Sequence, residues 1–556
     1  MVSQKQLERL IRVKANLETE RDIFISRWKE IAAQMSGSYG SWGKQDNANG
    51  QKKLDSTKEI YDNTGNEASN LMADGLMGSS FGRNLDWFNF MFEKRELNDV
   101  DSASKWLKDQ EKHCYAQFNK SNFYDEARIF TRHGGDFATA VMFMQEEPEE
   151  GRPFFKTQHP KDVCLMENRF GIVDTFFRDI YLTKDDAIAE FGKDKLPVQI
   201  AADENEDYTT KYVFHQYIGP NKRFQLDVAG TDEYISVYWS DYDTTKAIKE
   251  ERYKRKPFVA WRWNRDLEGY VYGTQSPGMM QLSNMRTANT LSKNVLQLSQ
   301  MVAQPMFKKT EGLIINIRPH GQTNLKQGED FAPVPATGDL SFTEKERENY
   351  RQKIRSAYYS DFFLVLSQNL DKTKTATEVA GLMNEQSNIM SSFYNRLATE
   401  FLEPVIEFVF ENELEHGRLD DLPEGMNGNE DIGIDFVSPL FLIQKRSHTV
   451  DALMQATTQI ASLAEIFPTV VDKVDSDSLV DEIADGWNVR KQLILDDSEV
   501  QKIRDARAQQ QQALMQQAMA NEQAKTGSQM YRDMSKAPEQ GSAMAALSGD
   551  QQKESA

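Results

Sequence analysis

The stretch from Tyr272 to Arg396 restricts the fold of this chain more than any other. A breaker cluster, Gly273, Pro277 and Gly278, opens it. A helical pattern follows, with Leu291, Val295, Leu298 and Val302 spaced as one apolar face until Pro305 stops it. Residues 312–317 then have strand character, among the turn formers Pro319, Gly321, Gly328, Pro333, Pro335 and Gly338. A second helix starts near Thr343, with Glu344, Glu346 and Glu348 in its first turns. After a break at residues 369–374, a longer helix opens with Thr375-Ala376-Thr377-Glu378-Val379. Helix, β-rich insert, helix, loop, long helix describes a stalk that leaves a body and returns. Such a stalk has too little core to stand alone, so its sides are expected to pack on neighbouring copies.

The remaining chain has room for a body. At 556 residues, 39% apolar and 27% charged, it suits a protein with a real core. No run of apolar residues is long enough to span a membrane, so no membrane insertion is expected. The N-terminus leads into a charged amphipathic helix, without the apolar centre of a signal peptide. Cys114 and Cys164 are too few for a disulfide scaffold and read as reduced thiols packed like small hydrophobes. The net charge of −20 excludes tight general binding of nucleic acid, because affinity comes from cations neutralising phosphates. Acidic walls around a duplex would instead repel it and let it slide. The same charge also fits an ordinary acidic protein.

Residues 5–35 read as one helix, followed by a Gly-rich loop that extends to about Lys53. Gly43-Lys44 is followed by Gln45, and Ser38 stands where a phosphate loop needs its first Gly, so this is a plain loop. Residues 66–77 form a small-residue helix with Ala68, Ala73 and Gly75, and residues 87–92 a strand. Residues 100–119 are helical. A further helix begins at Ser121-Asn122, which offer a cap, and carries Gly134, Gly135 and Ala138 as a close-packing surface. Residues 140–270 change character: strand-like runs at 141–144, 154–157, 163–166, 173–180, 212–218, 234–239 and 258–263, with one helix at 185–192. Residues 1–270 are thus an α+β body. Pro404 should kink the long helix, which Gly417 closes. Residues 432–437 read as a strand and 444–507 as helical. The Gln- and Ala-rich end has good helix propensity but little apolar content: it is either disordered or a helix only beside identical helices.

Chemistry is sparse. The chain has no HExxH, CxxC, GxSxG or helix-opening GxGxxG, and its seven histidines lack metal-ligand spacing. No enzyme, cofactor or metal is expected. Two polar sites stand out. Lys372 and Lys374 precede a helix start capped by Thr375 or Thr377; if copies surround an axis, these cations would ring the lumen and touch phosphates without reading bases. Solvated loop lysines are the plainer reading. Lys308, Lys309 and Arg318, in the insert, either meet an acidic partner or DNA at the stalk tip or belong to an ordinary exposed hairpin.

Several stretches carry a family resemblance by their order and spacing over roughly residues 20 to 450. They are Ile60-Tyr61-Asp62-Asn63-Thr64-Gly65, Trp87-Phe88, Trp106-Leu107, Ser121-Asn122-Phe123-Tyr124, Tyr272-Gly273 with Ser276-Pro277, and Thr375-Ala376-Thr377-Glu378-Val379. Arg396-Leu397, Glu400-Phe401-Leu402 with Pro404, and Val437-Ser438-Pro439-Leu440 with Gln444-Lys445 complete the set. In these the chain resembles the portal, or head-to-tail connector, proteins of short-tailed bacteriophages. The resemblance implies an α+β, mainly helical fold with wing, stem, clip and crown, in a ring normally of twelve subunits at one capsid vertex. The wing would be residues 1–273, the stem helices 274–304 and 343–368, the clip 305–342 and the tunnel loop 369–375. The long kinked helix and its return to the wing would be 376–447, the helical crown 448–510, and the tail 511–556 a barrel helix or a disordered end. It further implies a channel for packaging and ejecting double-stranded DNA. The implied partners are the major capsid and scaffolding proteins, the terminase large subunit, and tail adaptor and nozzle proteins. The implied location is the virion's portal vertex, with the host cytoplasm during assembly. A tail adaptor or internal scaffold is the alternative, although adaptors are usually much shorter.

Overall fold

The computed structural model describes residues 2–35, 60–367, 393–441 and 450–534, with short stretches left out at 99, 148–149, 203–209, 227–232, 266–268, 313–314, 316–324, 329, 335–339, 421, 424–431, 465–466, 468–473, 476–477 and 481–496. Two compact units result, Met1–Ser447 and His448–Ala556.

In the first unit, single-turn helices aside, the order is α1 (Gln4–Gln34), α2 (Thr64–Ser80), β1 (Phe88–Phe92), α3 (Asp101–Lys120), α4 (Phe123–Phe137), β2 (Thr139–Glu146), β3 (Pro153–Gln158), β4 (Val163–Glu167), β5 (Val173–Leu182), α5 (Lys184–Phe191), β6 (Tyr212–Pro220), β7 (Tyr234–Ser240), β8 (Lys249–Tyr253), β9 (Phe258–Arg262), α6 (Pro277–Ala303), β10 (Phe307–Lys309), β11 (Phe331–Pro333), α7 (Leu340–Ala357), α8 (Ser360–Ser367), α9 (Glu403–Glu415) and β12 (Ile432–Phe436). The second unit contains α10 (Val450–Ala464) and α11 (Asp497–Met534). The molecule is therefore α+β and mainly helical.

The strands make an antiparallel five-stranded sheet β4-β5-β6-β7-β8, a three-stranded sheet β3-β2-β9, and the pairs β1-β12 and β10-β11. Strand β2 is central and buried over Thr139–Met144 on both faces, which is why its sequence runs apolar instead of alternating. Strand β3 lies at that sheet's edge and alternates, Phe155 inside and Phe154 outside. Strand β1 takes β12 as its partner, Phe88 opposite Phe436, so the late strand returns the chain to the body.

Helix α1 shows how the body is joined. Its buried stripe is Leu7, Leu10, Lys14, Leu17, Arg21, Phe24, Trp28 and Ile31. The first half packs on Phe177, Tyr217 and Trp239 of the five-stranded sheet, and the second half enters the main core. Lys14 is tolerated in the stripe because Glu18 and Asp179 sit 2.6 and 3.0 Å from its Nζ. Helix α4 meets its neighbours as closely as its small residues suggest: a Cβ on Gly134 would lie 2.1 Å from the Trp261 ring, and one on Gly135 2.1 Å from Met72. At the start of α4, Ser121 Oγ accepts the Phe123 N–H at 3.2 Å. Asn122 instead brackets Phe155, donating to its carbonyl at 2.7 Å and accepting its N–H at 3.0 Å. Cys114 and Cys164 are buried free thiols, and burial pushes Cys164 up to about 12.

Two expectations change, and the insert and the Gln-rich end are described in part. Strand β8, Lys-Glu-Glu-Arg-Tyr, was not foreseen; it is an edge strand whose charges discourage further pairing. The helix expected over 343–368 breaks at Tyr358-Tyr359, where Tyr359 adopts φ +54°, because the Tyr358 hydroxyl is drawn into the core. The described strands of the insert are β10 and β11, at its base; Gly312 sits in a turn at φ +82°, and most of 312–317 lies outside the described residues. The Gln-rich segment is helical as far as Met534. The Gly-rich loop after residue 35 and the start of the long helix also lie outside the described residues. Among the described residues, no helix is long and apolar enough to cross a membrane.

Candidate functional site: a helical arm clamped to the body

Helices α6 and α7 pack together as an arm, and both its roots reach one buried residue, Asp136. Ser276 caps α6 by accepting the Met279 N–H at 3.3 Å, with Pro277 in the first turn, where its missing N–H costs nothing. The Ser276 hydroxyl donates to the Asp136 carbonyl at 3.2 Å. Gly278 is needed there: a Cβ would fall 2.3 Å from that carbonyl oxygen. At the other root, the Tyr358 hydroxyl donates to the Asp136 carboxylate at 2.9 Å, and Ser69 donates to its second oxygen at 2.9 Å. Asp136 is fully buried, with Arg132 Nε at 3.6 Å.

Further out, Asp62 clasps both helices. Its Oδ2 accepts from Ser292 Oγ on α6 at 2.9 Å and from Arg351 Nε on α7 at 2.8 Å. Its Oδ1 accepts the Thr64 N–H at 3.0 Å, and Asn289 Oδ1 accepts the N–H groups of Tyr61 and Asp62 at 2.6 and 3.1 Å. Burial opposes ionisation of Asp62, but the hydrogen bonds from Thr64, Arg351 and Ser292 outweigh it and hold the carboxyl below its ordinary value. The Tyr61-Asp62-Asn63-Thr64-Gly65 stretch is therefore a buckle. In the sequence these residues show no role beyond their place in the family pattern; the Asp-x-Thr turn is the one local hint.

Beyond the clasp, large apolar side chains of the arm are exposed among the described residues. Its apolar face is buried near the root at Leu282, Met285 and Val295. It then continues into Leu296, Met301, Val302 and Met306, with Val302 63% and Met306 64% exposed, and Phe342 on α7 is 62% exposed. The arm also differs in charge from the rest of a chain at −20: α6 carries Arg286 and Lys293 and no acid, and α7 has five bases against three acids. Lys308 and Lys309 lie side by side on β10 beyond the end of α6, and Lys308 pairs with Asp330 at 3.3 Å. Arg318, Lys372 and Lys374 lie outside the described residues.

A π-helical turn, Ala398–Leu402, lies just before Pro404. The wider turn accommodates the proline and aims Glu400 inward. Glu400 accepts from the Arg262 backbone N–H at 3.0 Å and from its guanidinium at 2.8 Å, while the same buried guanidinium pairs with Glu167. Phe401 stacks on Phe130 with ring centroids 4.1 Å apart.

No cluster of His, Cys, Asp and Glu among the described residues is arranged to hold a metal ion. A cavity of about 250 Å³ lies between the β8–β9 turn and α9. Its cations face acids of its own wall, as in Lys254–Glu415 at 2.7 Å and Arg255–Glu411. The arrangement is mechanical: an arm pinned at root and middle, with an apolar face that is exposed among the described residues.

A family model described as "Bacteriophage head to tail connecting protein" matches residues 7–495. The chain belongs to this family of bacteriophage head-to-tail connecting proteins. Two relatives run nearly end to end with it. The "Probable portal protein" of Bordetella phage BPP-1 is 28% identical over 553 residues, covering 95% of this chain and 96% of its own length. The "Portal protein" of Salmonella phage epsilon15 is 28% identical over 543 residues, covering 94% of each. Among solved structures, a chain of the virion of a native gene transfer agent particle is similar at TM-score 0.36 and 10% identity, covering 84% of this chain and 98% of its own. A chain from the neck of the empty particle gives 0.34 and 10%, covering 74% and 90%. The family assignment rests on the sequence matches.

Proposed function

We propose that copies of this connector close into a portal ring at one vertex of a phage capsid, and that double-stranded DNA is packaged and ejected through its bore. The observation that carries this reading is the arm: clamped by Asp62 and Asp136, acid-poor, and with an apolar face, exposed among the described residues, that neighbouring copies of the same arm cover around an axis. In this assignment residues 1–273 are the wing, 274–304 and 343–368 the stem, 305–342 the clip, 369–375 the tunnel loop, 376–447 the kinked helix and return, and 448–510 the crown. Helix α11 extends that crown. Twelve subunits complete the ring. The clip takes the terminase large subunit during packaging and tail adaptor and nozzle proteins afterwards, with Lys308, Lys309 and Arg318 as its basic contacts. The ring assembles in the host cytoplasm with scaffolding and major capsid proteins. The terminase supplies ATP hydrolysis, and this chain supplies none.

Negative-stain imaging of the purified protein tests the reading: rings with an axial hole are expected, and a compact monomer under assembly conditions overturns it. ATPase and nuclease assays on the same material are expected to be blank. The tunnel loop is tested apart from the ring. Lys372→Ala with Lys374→Ala should leave rings intact and alter packaging or DNA retention, because two cations per subunit contact phosphates non-specifically. Wild-type packaging and retained genome length would reject that assignment alone.

A further inference from the structure

The five-stranded sheet carries two unlike tips at its opposite ends. At one end is the β4–β5 turn, Asn168-Arg169-Phe170-Gly171-Ile172. Phe170 is 67% and Ile172 56% exposed, with the Arg169 guanidinium over the Phe170 ring at 4.5 Å. Two large apolar side chains held in water at a turn call for an explanation, because this turn is not loose. Asn168 Oδ1 accepts the N–H groups of Phe170 and Ile172 at 2.8 and 3.1 Å, and the Asn168 N–H donates to the Ile172 carbonyl at 2.9 Å. The Gly171 carbonyl accepts from the buried Arg262 at 3.1 Å. Gly171 has φ +75°, and a Cβ there would strike Arg265. A rigid apolar tip flanked by Arg169 and Arg265 has lost its ordering entropy in advance, as the anchor of an interface does.

At the opposite end, about 30 Å away along ten-residue β5, the β7–β8 turn carries Asp241 and Asp243 against one exposed base, Lys246. Asp241 and Tyr242 are exposed there, Tyr242 by 47%, and Asp243 fixes the turn by accepting the Thr245 N–H at 3.0 Å. The Tyr242 ring rests edge-on against Tyr212 at 5.9 Å. Asp185 and Asp186, at the start of α5, add exposed acids to this end.

A closed ring is built from heterologous contacts, in which one patch meets a different patch of the next copy. An apolar–basic tip and an acidic–aromatic tip, at opposite ends of one rigid sheet, are complementary in this sense. We infer that the Phe170–Ile172 tip of one subunit seats on the Asp241–Tyr242 end of the next, as a second inter-subunit contact separate from the arm. This inference rests on the ring reading above.

Phe170→Cys combined with Tyr242→Cys tests it directly, since Cys114 and Cys164 are buried and give little background. Assembled protein should form an oxidised subunit ladder on non-reducing gels, and either single variant should not. Phe170→Ser with Ile172→Ser should leave the monomer's melting temperature unchanged and raise the concentration for half-assembly at least tenfold. Rings without a ladder overturn the inference, as does assembly of the serine variant at the wild-type concentration. Normal rings that fail only to enter capsids overturn it too, because the tip's partner is then another virion protein. Failure of the wild-type chain to form rings instead removes the portal reading itself.

Discussion

The root of the arm and its far half are made of the same two helices and live in different surroundings. At the root, Leu282 and Met285 are buried, Tyr358 is fully enclosed, and Asp136 gathers hydrogen bonds from three elements. Past the Asp62 clasp, the same apolar stripe meets water at Leu296 and Val302. Among the described residues, the apolar side chains of the body's core are covered and the distal ones of the arm are exposed. Stability of the subunit and stability of the assembly should therefore be separable by position along one helix pair.

The largest effect is expected in the body. Phe401→Ala removes a ring stacked on Phe130 and Phe123 and should cost about 3–5 kcal/mol in urea unfolding of the monomer. A loss no greater than that of a surface change would break the contrast. Asp62→Ala should cost about 1–3 kcal/mol by leaving Arg351, Ser292 and the Thr64 N–H without their acceptor. Hydrogen exchange should show that loss concentrated in the distal turns of α6 and α7, with β2 unchanged; uniform exchange would deny the clasp its role.

Acid sharpens the comparison further. Burial, helped by Arg132, holds His133 down to about 3, so it is neutral in the fold and protonates near 6.5 when unfolded. Stability from this group is full above about 6.5 and falls by up to about 1.4 kcal/mol per pH unit below it, until the folded value is reached. His215 works oppositely: burial lowers it, but Asp179 at 2.7 Å and Asp241 at 3.0 Å outweigh burial and raise it. Its contribution is full below the unfolded value and is lost as pH rises through the raised one. Monomer unfolding followed between pH 7 and 4 should steepen in acid, and His133→Gln should flatten that slope; an unchanged slope would remove His133 as its source. The smallest monomer effect belongs to Leu296→Ser with Val302→Ser, within about 0.5 kcal/mol as for other exposed positions. The same variant should lose rings, as sedimentation would show. A large loss in the monomer would mean that this face is already covered.

Much of this was legible in the sequence because local patterning and tertiary placement agree. The alternation in β3, the apolar run of β2, the small residues of α4 and the proline after the π turn all mean in the fold what their chemistry suggests. The misses have a common cause: the deciding partner is distant in sequence. Strand β8 is charged and becomes a strand only because β7 offers an edge. The break at Tyr358 follows from Asp136, and the role of Asp62 from Ser292 and Arg351, each more than two hundred residues away. At the candidate site, the arm was visible from its breakers and helical spacing. Its clamps were not, because one aspartate among many acidic residues gives no local sign of what it will hold.

The double attachment at Asp136 has a mechanical corollary. Outgoing and returning helices share one fulcrum, so a load applied at the tip cannot slide one helix past the other without breaking a buried polar joint. Force is thus delivered to the end of α4 as a tilt of the whole arm, and whatever pushes at one extremity is felt in the sheet at the other.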